Sequence, residues 1–206
     1  MPLIVPVMVR GINNLSDARY CAGMGADSLT FRLDPAFPDA LTPETVQELS
    51  SWVAGVQLIG EFDALPIDQI NALAQQCGLH AVLLHRRHTP DELAELTIPA
   101  LRSISWVPDM LPEDVDMLLR EQASHYAGFV IATAPQPLPN PAEVTRLTEH
   151  ARMYNIWLGA GFAPDNLRSY VEAVNPAGIV LQGGDEIKPG LRDFDEMEAV
   201  FEQLED

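Results

Sequence analysis

Residues 9–31, VRGINNLSDARYCAGMGADSLTF, hold one strand, one helix and the start of a second strand. An apolar run ends on Arg10-Gly11, a polar turn leads into a helix, the helix breaks at Gly23-Met24-Gly25, and a β-rich run follows. The same plan of helix, glycine and short strand recurs as Gly78-LHAVLLH, Gly128-FVIATA and Gly178-IVLQGG. From Gly25 onward these glycines lie 53, 50 and 50 residues apart. That is about twice one strand-plus-helix unit of a parallel sheet, so a further strand is due in each interval.

Those strands are present as LIVPVMVR (3–10), GVQLIGEF (55–62), LRSISWV (101–107) and NIWLGAG (155–161). Amphipathic stretches separate them, among them PETVQELSSWV, PIDQINALAQQ, PEDVDMLLREQAS, PAEVTRLTEHARMY and PDNLRSYVEAV. Several open with Pro followed by Glu or Asp, as a first helical turn prefers. Eight strands alternating with helices point to an α/β fold, a single-domain (β/α)8 TIM barrel spanning residues 1–206. Alternation alone does not prove closure, so an open doubly wound sheet is the alternative. The proline-rich runs LDPAFPDALTP and TAPQPLPNPAEV fall where strand-to-helix loops are due and are read as stiff loops over the barrel mouth.

The chain has 206 residues, 47% of them hydrophobic, enough for one substantial core. Its opening, MPLIVPVMV, has no basic segment or cleavage pattern, and no run of about 18 apolar residues follows, so a soluble cytoplasmic protein is expected. Thirty acidic residues against twelve basic ones give a net charge of −18, and Lys188 is the sole lysine. Such a surface repels phosphate backbones and anionic lipid, which argues against nucleic acid and membrane partners. Cys21 and Cys77 have no paired spacing and are read as small buried hydrophobes; Trp52, Trp106 and Trp157 are read as core or barrel-layer packing, and His80, His125 and His150 as lying at helix ends or on surfaces.

In such a barrel, chemistry belongs to the C-terminal strand ends and the loops after them. Those ends carry Arg10, Arg32, Glu61, His85, Trp106, Thr133, Gly159-Ala160-Gly161 and Gln182-Gly183-Gly184. Glycine turns after the seventh and eighth strands suit phosphate, because bare backbone N–H groups can approach an anion; Gly161, Gly183 and Gly184 are the candidates. His85-Arg86-Arg87-His88 does not make a metal site, since no carboxylate or cysteine completes a ligand set.

These residues carry a resemblance to phosphoribosylanthranilate isomerase, the tryptophan-pathway barrel. GINNLSDARYCAGMGADSLTF, GVQLIGEF, GLHAVLLH and GAGFAPDNLRSYVEAVNPAGIVLQGGDEIKPGLRD are each similar to a family segment, and PGLRD at 189–193 is a specific match. What the resemblance implies is a ring-opening Amadori rearrangement of a phosphoribosyl amine, with no cofactor. A cysteine ending strand one acts as base and an aspartate ending strand six as acid. In this chain Arg10 stands at the cysteine's place and Ala132 at the aspartate's. Arginine stays protonated and alanine has no proton to give. The family's arginine after strand two falls on Asp39, and its glutamine before the strand-four histidine's leucine falls on Leu83, while His85 is retained.

The resemblance therefore implies a barrel not competent for the Amadori isomerisation, binding a small phosphorylated or carboxylated ligand such as a sugar phosphate at its mouth. Two alternatives stand beside it. One is the genuine isomerase, or a related aldose–ketose isomerase, with acid and base relocated; the other is a non-catalytic interaction scaffold. Arg10 and Glu61 come from alternate strands and can share one barrel layer. They are either a buried ion pair that neutralises two charges, or a site in which Arg10 binds an anion while Glu61 and His85 transfer protons.

Overall fold

The computed structural model describes residues 3–106, 110–133, 141–159, 164–183, 186–188, 191–192 and 195–205. In chain order the elements are β1 (Val7–Arg10), α1 (Leu15–Gly23), β2 (Ser28–Arg32), α2 (Pro43–Ser51), β3 (Gln57–Phe62), α3 (Ile67–Cys77), β4 (Ala81–Leu84), α4 (Pro90–Ala94), β5 (Ala100–Trp106) and α5 (Pro112–Gln122). They continue with β6 (Gly128–Thr133), α6 (Pro141–Met153), β7 (Ile156–Gly159), α7 (Pro164–Val174), β8 (Gly178–Gln182), β9 (Glu186–Lys188), β10 (Leu191–Arg192) and α8 (Asp195–Leu204). Strands β1 to β8 pair in sequence order, all parallel, and β1 pairs with β8 from Val7↔Ile179 to Arg10↔Gln182. That last pairing closes the barrel and rules out the open sheet.

Local chemistry explains the punctuation. Asn14, Thr42 and Thr89 cap α1, α2 and α4 by accepting the amides of Asp17, Thr45 and Glu92. Pro43 and Pro90 follow two of these caps, where a missing N–H costs nothing. Gly78 ends α3 with φ of 62°, a left-handed conformation that needs no Cβ. Pro6 sets the start of β1: its carbonyl accepts from Ile179, but it has no N–H to extend the ladder. The sequence-based first strand at residue 3 is therefore shortened to Val7, and Leu3 instead bridges Glu205.

Both faces of the strands are covered. Val7, Val9, Leu29, Phe31, Phe62, Leu84 and Phe129 point outward into the layer shared with the helices. Met8, Ile59, Leu83, Leu101, Val130 and Val180, with Ala81 and Trp157, fill the barrel interior. Trp157 fits there because Gly178 lies across from it: a Cβ on Gly178 would sit 2.3 Å from the indole ring. Cys21 and Cys77 are buried and unbridged.

Three features differ from the sequence reading. Trp52, expected in a packed layer, is 61% exposed, because α2 ends at Ser51 and the chain leaves the apolar face there. His150, expected at a helix end or on a surface, does lie in the last turn of α6, but it is buried there and bonds Asp116 of α5 at 2.6 Å, one turn from buried Leu147. Strands β9 and β10 form a small antiparallel pair too short to show an alternation in sequence. Among the described residues no helix is long and apolar enough to cross a membrane.

Candidate active site at the barrel mouth

Directly above the apolar interior layer, four polar side chains from the first four strands converge. Arg10 ends β1, Thr30 lies in β2, Glu61 in β3, and His85 follows the last residue of β4. Alternation places Arg10 two residues beyond Met8, Glu61 two beyond Ile59, and His85 two beyond Leu83, all on the inward face. Glu61 is fully buried and Arg10 is 8% exposed.

The Glu61 carboxylate is saturated. Its Oε1 accepts from Arg10 Nε at 3.1 Å and from the Thr30 hydroxyl. Its Oε2 accepts from Arg10 Nη2 at 2.5 Å and from His85 Nε2 at 3.0 Å. Burial pushes this carboxyl up, but the bonds from His85, Arg10 and Thr30, with the charge of Arg10, outweigh it and hold the group well below the usual carboxylate range. An ionised Glu61 accepts only, so His85 places its Nε2 proton toward Oε2. Arg10 Nη2, 3.2 Å from Nε2, is then a second donor on the same oxygen rather than a partner of the ring.

This geometry brings together Arg10, Glu61 and His85, the three candidate residues of the sequence reading, and separates their roles. Glu61 has no oxygen left for a substrate proton, which fits it to orient His85 rather than to transfer protons itself. Arg10 spends two of its nitrogens on Glu61. His85 keeps 24% of its side chain exposed and is the group in reach of a ligand. Ala132 lies on the opposite side, paired with Ser105 and Gly159.

The loop after β2 walls the site. Phe37 meets the His85 ring edge-on at 5.2 Å, and Arg32 lies 5.6 Å from the Phe37 ring while pairing with Asp39 at 2.6 Å. Desolvation works against the Arg32 charge, but Asp39 and Glu61 more than offset it and raise its pKa. The loop is fastened by Asp34, whose Oδ2 accepts the amides of Asp63, Ala64 and Leu65 at 2.8, 2.6 and 2.8 Å, and whose Oδ1 accepts Ala36 at 2.9 Å. Burial raises the Asp34 carboxyl, and these four N–H bonds overcome that and lower it.

Of the phosphate candidates, Gly161 and Gly184 fall outside the described residues. Gly183 is described, and its amide donates to the Arg10 carbonyl at 2.9 Å, which commits it to the β8–β1 ladder. Sequence reading missed Thr30 and Asp34. Thr30 shares the inward parity of Ser28 and could have been found by alternation; Asp34 accepts Ala36 locally, but its other three amides lie about thirty positions away and left no signal beside it.

A closed barrel with a polar mouth at the C-terminal strand ends defines a barrel enzyme class in which strand tips carry the chemistry. The sequence model of N-(5'phosphoribosyl)anthranilate (PRA) isomerase matches residues 7–203, and the chain belongs to that family. It is 28% identical over 200 residues to N-(5'-phosphoribosyl)anthranilate isomerase of Geobacter metallireducens, covering 92% of this chain and 94% of that one. The enzyme of the same name from a Synechococcus strain is 28% identical over 216 residues, covering 96% and 89%. Among solved structures, the phosphoribosyl anthranilate isomerase of Thermotoga maritima superposes with a TM-score of 0.80 at 21% identity, over 97% of this chain and 98% of that one. The Thermus thermophilus enzyme gives 0.76 at 24% identity, with the same coverage. A further isomerase structure, in complex with reduced 1-(o-carboxyphenylamino)-1-deoxyribulose 5-phosphate, gives 0.78 at 22%. The relatives are named as isomerases, so they lend no support to the expectation of a barrel that has lost isomerisation, and favour the alternative of a genuine isomerase.

Proposed function

We propose that this protein is an isomerase acting on a small phosphorylated glycosylamine of the kind its relatives are named for, with proton transfer moved to His85. The carrying observation is the hydrogen bond from His85 Nε2 to a buried, ionised Glu61, with the ring still open to the mouth. The reaction needs a proton delivered to the sugar ring oxygen as its C–O bond opens. It then needs a proton removed from the neighbouring carbon, giving an enol-amine that settles as the ketone. An imidazole can do both in turn, as imidazolium first and as neutral base second, and returns to its starting state. The Glu61 carboxylate orients the ring and stabilises its cationic form. Partly exposed Arg32, beside Phe37, offers a guanidinium and an aromatic face to an aryl carboxylate. Gly161 and Gly184, from their place in the sequence, are the proposed phosphate turns, with Gly183 committed to the ladder.

One residue doing the work of two dedicated groups costs about 10²–10⁴-fold in rate, so turnover is expected to be slow. The test is complementation of a tryptophan auxotroph lacking the isomerase, together with a purified-protein assay. Measurable turnover that disappears in His85→Ala supports the reading. A second reading, ligand binding without isomerisation, is favoured by Arg10 and Ala132 at the positions the family resemblance assigns to base and acid. Calorimetric binding of a phosphorylated substrate analogue without turnover would establish that reading instead. The scaffold reading has less behind it, because the exposed large apolar residues among those described, Trp52, Leu111, Met117 and Met153, are few and come from the ends of α2, α5 and α6 and from within α5.

A further inference from the structure

Arg102 is a charged residue in the middle of β5, and its register partners Leu84 and Phe129 both face the helix layer. Its Nη1 donates to three main-chain oxygens: Leu84 at 3.0 Å, Ser103 at 2.7 Å, and His85. This guanidinium nitrogen is thus spent on carbonyls, and no salt bridge to a carboxylate is made among the described residues, where the Nε is buried without a hydrogen-bond partner. The β4–β5 ladder ends at Leu84↔Arg102, so the sheet offers nothing to the carbonyls beyond it. On the other side, the His85 amide donates to the Phe62 carbonyl at 2.9 Å. The main chain of His85 is therefore gripped through its N–H from β3 and through its C=O from β5.

We propose that Arg102 is a positioning residue for His85, holding the tip of β4 so that the imidazole stays on Glu61. Two N–H bonds shared among three carbonyls by a planar, always-charged group make a rigid clamp, and a neutral or more flexible side chain cannot reproduce it in full. The inference rests on the reading of His85 as the proton-transfer group. Misplacement by about 1 Å costs on the order of 100-fold in rate. Arg102→Met should lower kcat about 100-fold with KM changing less than about threefold, and Arg102→Lys should recover part of the loss.

The decisive readout does not need turnover. In protein labelled at histidine, Arg102→Met should move the His85 ring resonances, assigned by their loss in His85→Gln. The resonances of His150, bonded to Asp116 between α5 and α6, should stay in place and report that the barrel is folded. Arg102→Lys, the milder variant, should move the His85 signals less. Unmoved His85 resonances in both folded variants would overturn the proposal, whatever the activity. If the wild-type protein shows no turnover, the catalytic reading fails while the ring resonances still decide whether Arg102 holds His85.

Discussion

The two halves of the barrel mouth are built to opposite rules. Across β1 to β4, Arg10, Thr30, Glu61 and His85 are charged or polar, and each is bonded to another of the set. Across β6 and β7, the inward positions are Ala132 and Gly159, small and apolar, while β8 brings Gln182 level with Arg10. The crowded half satisfies itself, which fixes its geometry; β6 and β7 have little side chain there to reorganise. The bonded network is thereby confined to one side, whereas the family resemblance places an acid and a base on opposite sides.

Removing the centre of the crowded half should break this division most severely. Glu61→Ala strands buried Arg10 without its partner and should destabilise the protein by about 3–5 kcal/mol in denaturant unfolding. A loss below about 1 kcal/mol would mean that the network is not the fixed half of the mouth. Acid should act in the same direction. The folded-state pKa of Glu61 is depressed, so its contribution is fully present above the unfolded value of about 4.3 and is lost as pH falls below it toward the folded value. Unfolding free energy should therefore drop steeply below about pH 4, and Glu61→Gln should show a shallower acid slope than wild type.

On the small side the expected effects are lesser and of two signs, which sharpens the contrast. Gly178→Ala places a methyl 2.3 Å from Trp157 and should cost about 1–3 kcal/mol through overpacking. At Gly159 an added Cβ would meet Val180 at 3.5 Å and Ala132 at 3.9 Å, ordinary contact distances. Gly159→Ala should therefore cost nothing, or raise stability by up to about 1 kcal/mol by restricting the unfolded chain. A melting temperature that falls as far for Gly159→Ala as for Gly178→Ala would show that the small side is not spacious.

Much of this was legible in the chain. The glycine spacing set the eight strands, because each unit repeats a helix stop and a β-rich run. The inward parity of Arg10 and Glu61 foretold their ion pair, because pleat and layer geometry leave few options for residues on alternate strands. What stayed hidden depends on distances along the chain. Asp34 finds its amides on the next strand-to-helix loop, and Arg102 finds the end of a neighbouring strand; neither follows from a local pattern. Trp52 misled because periodicity places a residue on a helix face without saying whether the helix has already ended.

The Asp34 carboxylate joins two loops at one point, and that has a consequence for how their protons leave. The amides of Ala36, Asp63, Ala64 and Leu65 all end on its two oxygens. None of the last three can open to water without disturbing a bond made by its neighbours, so their deuterium uptake should proceed as one kinetic event rather than three. The wall of the mouth is then a single opening unit, and its exchange rate can be read without any substrate.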